Sequence, residues 1–187
     1  MASTSLKLHD QGNPMLIGLC GRPDSGQDLI TNYLACGNRA FHVVTFDAPL
    51  RHMIQACAGI HETYFSLAKR HDVIPALGKS PAQLLHTLRE AWIRAPMDPD
   101  VLVRHFAQTL ARHDGRNVVA PDVSTQAEAE FIQTCGGQLI RVVSRRGLGA
   151  DPSIKRAWID LELEADEASD WLYAEIDAIV GEDVLVG

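Results

Sequence analysis

No apolar run in the 187 residues approaches the roughly 18 that a membrane-crossing helix needs, so no membrane span is expected. The first fourteen residues, Met1 to Pro14, are polar and lack the apolar stretch of a signal peptide. Cys20, Cys36, Cys57 and Cys135 stand far apart, without the close pairs of a zinc site or redox motif. They are expected to be reduced core thiols of a cytoplasmic protein. The eight histidines show no metal-ligand spacing, and no internal repeat or low-complexity linker divides the chain. From Ala157 to Gly187 there is no lysine or arginine at all, against ten acids. The net charge of −7 is therefore uneven: the other 156 residues hold 17 bases and 14 acids, a balance of +3. The pooled acidity argues against general nucleic-acid binding, while the mildly basic body leaves room for an anionic ligand.

What is present is enough apolar material for one folded domain: 46% hydrophobic residues with 22% charged. A flexible arm over 1–14 and a single domain over 15–187 are expected. Met15 to Cys20 is nearly continuous apolar sequence followed by glycine, the pattern of a strand buried on both faces. Leu29, Ile30, Tyr33 and Leu34 then recur at helical spacing, and Phe41 to Phe46 reads as a short strand. A helix-rich middle follows. Ser80-Pro81-Ala82-Gln83 combines an N-cap serine, a first-turn proline and a capping-box glutamine. Asp98-Pro99 opens a further helix that Gly115 closes. Strands are expected at 117–121, 138–143 and near 159–163, with helices over 124–135 and around Leu172, Ile176, Ile179 and Val180. Residues 144–156 are polar and basic without a period, hence a loop. Strands alternating with helices predict an α/β fold with a mainly parallel sheet covered on both faces.

Gly21-Arg-Pro-Asp-Ser-Gly26 has the two glycines of a G-x-x-x-x-G-K-[ST] phosphate loop, placed between a buried strand and a helix. Glycines there let backbone N–H groups curl around a phosphate at a helix N-terminus. Yet position 27 carries glutamine where the motif has lysine, and Asp28 and Leu29 stand where a magnesium-binding hydroxyl is expected. Asp24 and Asp28 add negative charge, which Arg22 can offset.

Several collinear blocks resemble the phage-type deoxynucleoside monophosphate kinases. Leu16-Ile-Gly-Leu-Cys-Gly-Arg-Pro-Asp-Ser-Gly-Gln-Asp28 is similar to that family's I-G-L-T-G-K-x-x-S-G-K-D-T opening. Phe46-Asp-Ala-Pro-Leu-Arg51 resembles F-A-D-P-L-K, and Ser80 to Trp92 resembles S-P-R-Q-L-L-Q-x-L-G-T-E-W. Asn117 to Phe131 resembles N-V-V-I-S-D-V-R-F-P-N-E-A-E-F, and Gly136 to Val143 its continuation. The resemblance covers most of residues 15–143. It implies a three-layer P-loop NTPase-like fold, with ATP and Mg²⁺ as cofactors if the chain is active and none if it is a bare scaffold. It places Gly21, Arg22, Ser25, Gly26, Gln27 and Asp28 at the donor nucleotide, and Asp47, Arg51, Gln83 and Trp92 at the acceptor site. Asp122 would be the carboxylate near magnesium. Arg145 and Arg146, in a lid-like loop over 144–156, would clamp phosphate during catalysis.

Plainer readings stand beside these. Asp122 can equally be the N-cap of the following helix. The basic stretch Arg141, Arg145, Arg146, Lys155 and Arg156 can be a solvated loop paired with the acidic C-terminal segment. Gln83, Thr87, Glu90 and Arg94 can be a solvated helix face held by a Glu90–Arg94 pair.

The departures from the family pattern cluster at its chemistry. Its lysine is Gln27, its threonine Leu29, the arginine of D-V-R is Ser124, and the Asp–Ala order at 47–48 is swapped. Its G-T-E is Arg89-Glu90-Ala91. Two functions are consistent with this: a kinase-like scaffold whose transfer chemistry is impaired, binding a nucleotide, another small phosphate compound or a protein partner; or an active phosphotransferase with Arg22, Arg145 or Arg146 in place of the lysine.

Overall fold

A computed structural model describes residues 14–36, 40–66, 68–94, 98, 100–147 and 149–181, with backbone alone for 92–94. These residues form two compact units, one of 46–106 and one built from the chain on either side of it.

The larger unit holds a five-stranded, all-parallel sheet in the order β2-β3-β1-β4-β5. Its strands are β1 (Leu16–Gly21), β2 (His42–Val43), β3 (Val118–Val123), β4 (Gln138–Val143) and β5 (Leu161–Glu164). Around it lie α1 (Gln27–Ala35), α5 (Gln126–Thr134) and α6 (Asp170–Val180). β1 is central because five of its six residues are apolar or glycine and buried, which only a strand covered on both faces tolerates. Ile17 and Leu19 on one face meet Ile30 and Leu34 of α1 and Leu172, Ile176 and Val180 of α6. On the other face Gly18 lies against Leu139, Ile132 of α5 and Val123. A side chain on Gly18 would come within 3.2 Å of all three, so glycine lets α5 sit close to the sheet. The result is the three-layer α/β architecture expected of a P-loop-like fold.

Local signals account for most element boundaries. Pro121 cannot donate to the ladder, and the β1–β3 register slips there, two residues of β1 opposing three of β3. β2 is shorter than the 41–46 expected. It pairs only with β3 at the sheet edge; the Val44 amide continues that pairing with Val119 O at 3.0 Å, while Phe41 and Phe46 are buried by packing outside the strand. The helix after β3 begins at Thr125, not at Asp122. Thr125 Oγ1 accepts from the Glu128 amide at 3.3 Å, and the Glu128 carboxylate accepts from the Thr125 amide at 3.1 Å. That reciprocal capping box corrects the reading of Asp122 as the cap, since Asp122 lies inside β3.

The smaller unit contains α2 (Ala48–Ala58), a 3₁₀ turn (Glu62–Phe65) and α3 (Pro81–Arg94); α4 (Val101–Ala111) begins within it. The expected capping box at α3 is present: the Ser80 amide donates to Gln83 Oε1 at 3.0 Å, and the Gln83 amide to Ser80 Oγ at 3.3 Å. Phe46 and Phe106 stack at 4.0 Å between ring centroids, both fully buried.

The cysteines correct one expectation. Only Cys20 is buried; Cys36, Cys57 and Cys135 are exposed, because three of the four occupy helix ends or surfaces rather than strands. Burial at the end of β1 pushes the Cys20 thiol up to about 11, against the partial opposition of Arg141. A thiol-specific reagent at about pH 8 is therefore expected to modify three thiols of the native chain, with the fourth appearing only in denaturant. Mass spectrometry of the native and unfolded protein checks this, and rapid native labelling of Cys20 would contradict it.

Candidate functional site

The loop that follows β1 has a phosphate loop's shape, and its own side chains fill it. Gly26, the N-cap of α1, has φ 99°, a left-handed conformation that glycine adopts without strain. A side chain there would also strike Ala165, whose carbonyl oxygen lies 2.5 Å from the site of its Cβ. Asp24 shares the positive φ, at 63°, which aspartate tolerates better than most residues. Ser25 is buried, and its single hydroxyl proton faces three acceptors: Arg22 O at 2.8 Å, Val142 O at 3.0 Å and Gln27 Oε1 at 3.2 Å. Gln27 turns back across the loop, its Nε2 donating to Arg22 O at 3.1 Å. A neutral amide thus spans the loop from the position that the resemblance gives to a lysine. Asp28, in the first turn of α1, meets the helix dipole with a negative charge from within the chain.

Beside this loop, at the C-terminal ends of β1, β4 and β5, opens a cleft of about 400 Å³. That volume lies within the range of small-molecule sites, and strand C-termini are where such sites form in parallel sheets. Arg22 and Ser25 line it from the loop, and Val142, Val143, Ser144 and Arg145 from the end of β4. Asp151 and Glu164 complete the lining. Its guanidiniums are engaged. Arg22 grips Asp151 through Nε and Nη2, each 3.3 Å from a carboxylate oxygen. Arg145 Nε lies 3.6 Å from Asp166 Oδ2.

Asp166 also accepts from Ser144 Oγ at 2.6 Å and from the Arg145 amide at 2.8 Å. These two hydrogen bonds, with smaller help from the charges of Arg145 and Arg146, hold its carboxyl below the usual range. A carboxyl lowered in the fold stabilises it above the ordinary value near 3.8, and that contribution is lost as pH falls through the folded value. Thermal melts should therefore show Asp166→Asn less stable than the parent near neutral pH. The gap should close in acid below about pH 4. A gap independent of pH would contradict this role.

The basic stretch largely follows its plainer reading. Arg141 and Arg156 both approach Glu162, at 3.6 and 2.6 Å, and Arg145 reaches Asp166, all toward the acidic C-terminal segment. Arg146 is exposed, and the Lys155 amide donates to Gln126 Oε1. Asp122 is half-buried in the penultimate position of β3, the strand next to β1. Among the described residues, no cluster of three or more His, Cys, Asp or Glu side chains is arranged to hold a metal ion.

In the smaller unit, Asp47 and Arg89 form a mostly buried ion pair, with Nε at 2.8 Å and Nη2 at 2.6 Å from one oxygen, Oδ1. Arg51 lies 3.4 Å from Glu62 and over the Phe65 ring at 5.6 Å. Glu62 also accepts from Gln55. Gln83 is spent on its capping box. The side chains of Trp92 and Arg94 lie outside the described residues, and with them the expected Glu90–Arg94 pair.

Sequence reasoning missed Arg89, Asp151, Glu164 and Asp166 as members of these clusters. Only the excess of acids after residue 157 hinted at the last two. The Thr125-x-x-Glu128 capping pattern, by contrast, was there to be read. No helix among the described residues is long and apolar enough to cross a membrane. No protein-family model matches the chain, and a search of curated proteins finds no match either.

Proposed function

We propose that the chain is a nucleotide kinase-like scaffold, related to the deoxynucleoside monophosphate kinases it resembles, that does not carry out phosphoryl transfer. The observation that supports this most is the Gln27 amide, hydrogen-bonded to Arg22 O and Ser25 Oγ within its own loop. Phosphoryl transfer depends on positive charge placed where negative charge develops, and a neutral amide already spent on the backbone supplies none.

The other departures from the family pattern have internal partners as well. Asp47 pairs with Arg89, and the Ser124 amide donates to Glu128 at 2.8 Å. The hydroxyl that the family pattern supplies to magnesium has no counterpart at Asp28 or Leu29, and the Ser25 hydroxyl is buried among backbone carbonyls. Two of the three arginines that could substitute for the lysine, Arg22 and Arg145, are each paired with a carboxylate, which leaves the exposed Arg146 as the remaining candidate for that role.

Purified full-length chain, incubated with ATP, Mg²⁺ and each of the four deoxynucleoside monophosphates, should form no diphosphate above the protein-free rate. Magnesium-dependent product with any of the four would overturn the reading and favour the active phosphotransferase.

A further inference from the structure

The cleft beside the loop carries an electrostatic signature opposite to a phosphate site. Its lining holds two guanidiniums and two carboxylates, with Asp166 a third carboxylate behind Arg145. Arg22 is paired with Asp151, and the largely exposed Arg145 lies 3.6 Å from Asp166, so each cation of the lining has a carboxylate beside it. Glu164 has no hydrogen-bond or ion-pair partner among the described residues. It closes β5 in register with Val143, and both residues line the cleft. The charge left over is therefore a carboxylate beside an apolar strand end. A polyphosphate entering here would be repelled by Glu164 and would compete with existing ion pairs for the two cations of the lining. An ammonium group pairs with Glu164 directly while its carbon chain lies along the exposed Val143 side chain.

We propose that this cleft binds a small organic ammonium compound in place of a phosphate ligand. The inference rests on the reading that the loop no longer serves a nucleotide. Two sources share that chemistry: a diamine, and the ammonium end of a free amino acid. They differ in their need for Arg22. The carboxylate of an amino acid has to share that guanidinium with Asp151, whereas a diamine binds as well or better without it.

The test is calorimetric titration of the full chain with 1,4-diaminobutane and, separately, with glycine. At least one is expected to bind saturably, and Glu164→Gln should weaken it about tenfold, the size of one charge-assisted contact. Glu164 is exposed, so an unchanged melting temperature will show that the variant remains folded. Arg22→Ala should abolish glycine binding and leave diaminobutane binding intact, which assigns the source. Heat from neither compound, or binding indifferent to Glu164→Gln, would overturn the proposal. That failure is distinct from failure of the functional reading, which magnesium-dependent phosphoryl transfer alone reports.

Discussion

Arg89→Ala is expected to destabilise the chain by about 3 kcal/mol, the lower end of the range for breaking a buried ion pair. Its side chain and that of Asp47 are only 12% and 15% exposed, so removing the guanidinium takes a cation from a carboxylate that water reaches poorly. Asp47→Ala should cost a similar amount. The double variant should cost clearly less than the sum, leaving a coupling of at least about 1 kcal/mol. Urea unfolding of the parent, both single variants and the double variant measures this cycle. The point reaches beyond stability. Asp47 and Arg89 are both positions where the sequence departs from the kinase pattern, and they are each other's partners. Strong coupling would show that these departures form one compensated replacement. Strictly additive effects would show two unrelated changes that happen to lie near one another.

Gln27→Lys combined with Leu29→Thr is expected to raise affinity for Mg²⁺–ATP by about tenfold or more, one charge-assisted contact's worth. The lysine restores a cation at the mouth of the loop, and the threonine restores a hydroxyl of the kind that holds magnesium. Gln27→Ala separates the two effects of this change. It withdraws the amide from Arg22 O and Ser25 Oγ without adding charge, so its gain should be small. If Gln27→Ala alone produced the full gain, steric closure by the amide would outweigh the missing charge. If neither variant gained affinity, the loop's backbone rather than its side chains would be the obstacle.

How much of this was legible in the sequence follows from the range of the forces involved. The parallel α/β architecture came through because its signals are local: a continuous apolar run in β1, a helical stripe in α1, and the Ser80–Gln83 box at α3. The loop's glycines were equally legible, since Gly26 needs its backbone conformation wherever the rest of the chain goes. The sheet edge was less so. Phe41 and Phe46 look like strand residues because burial by packing and burial in a strand select the same side chains. The pairing of the basic stretch with the acidic C-terminal segment was legible, but most individual partners of the charged groups were not. Arg22 finds Asp151 across 129 residues and Asp47 finds Arg89 across 42, and no local pattern encodes such meetings. For the same reason the missing lysine could be seen in the sequence, but not the amide folded into its place.

The central claim, a phosphate loop closed on its own side chains, is tested most directly by calorimetric titration of the unmodified chain with ATP, with and without Mg²⁺. The parent chain should give no magnesium-dependent binding heat, and Gln27→Lys/Leu29→Thr should acquire it under the same conditions. Saturable, magnesium-dependent ATP binding by the parent chain, weakened by a change at Gln27, would contradict it.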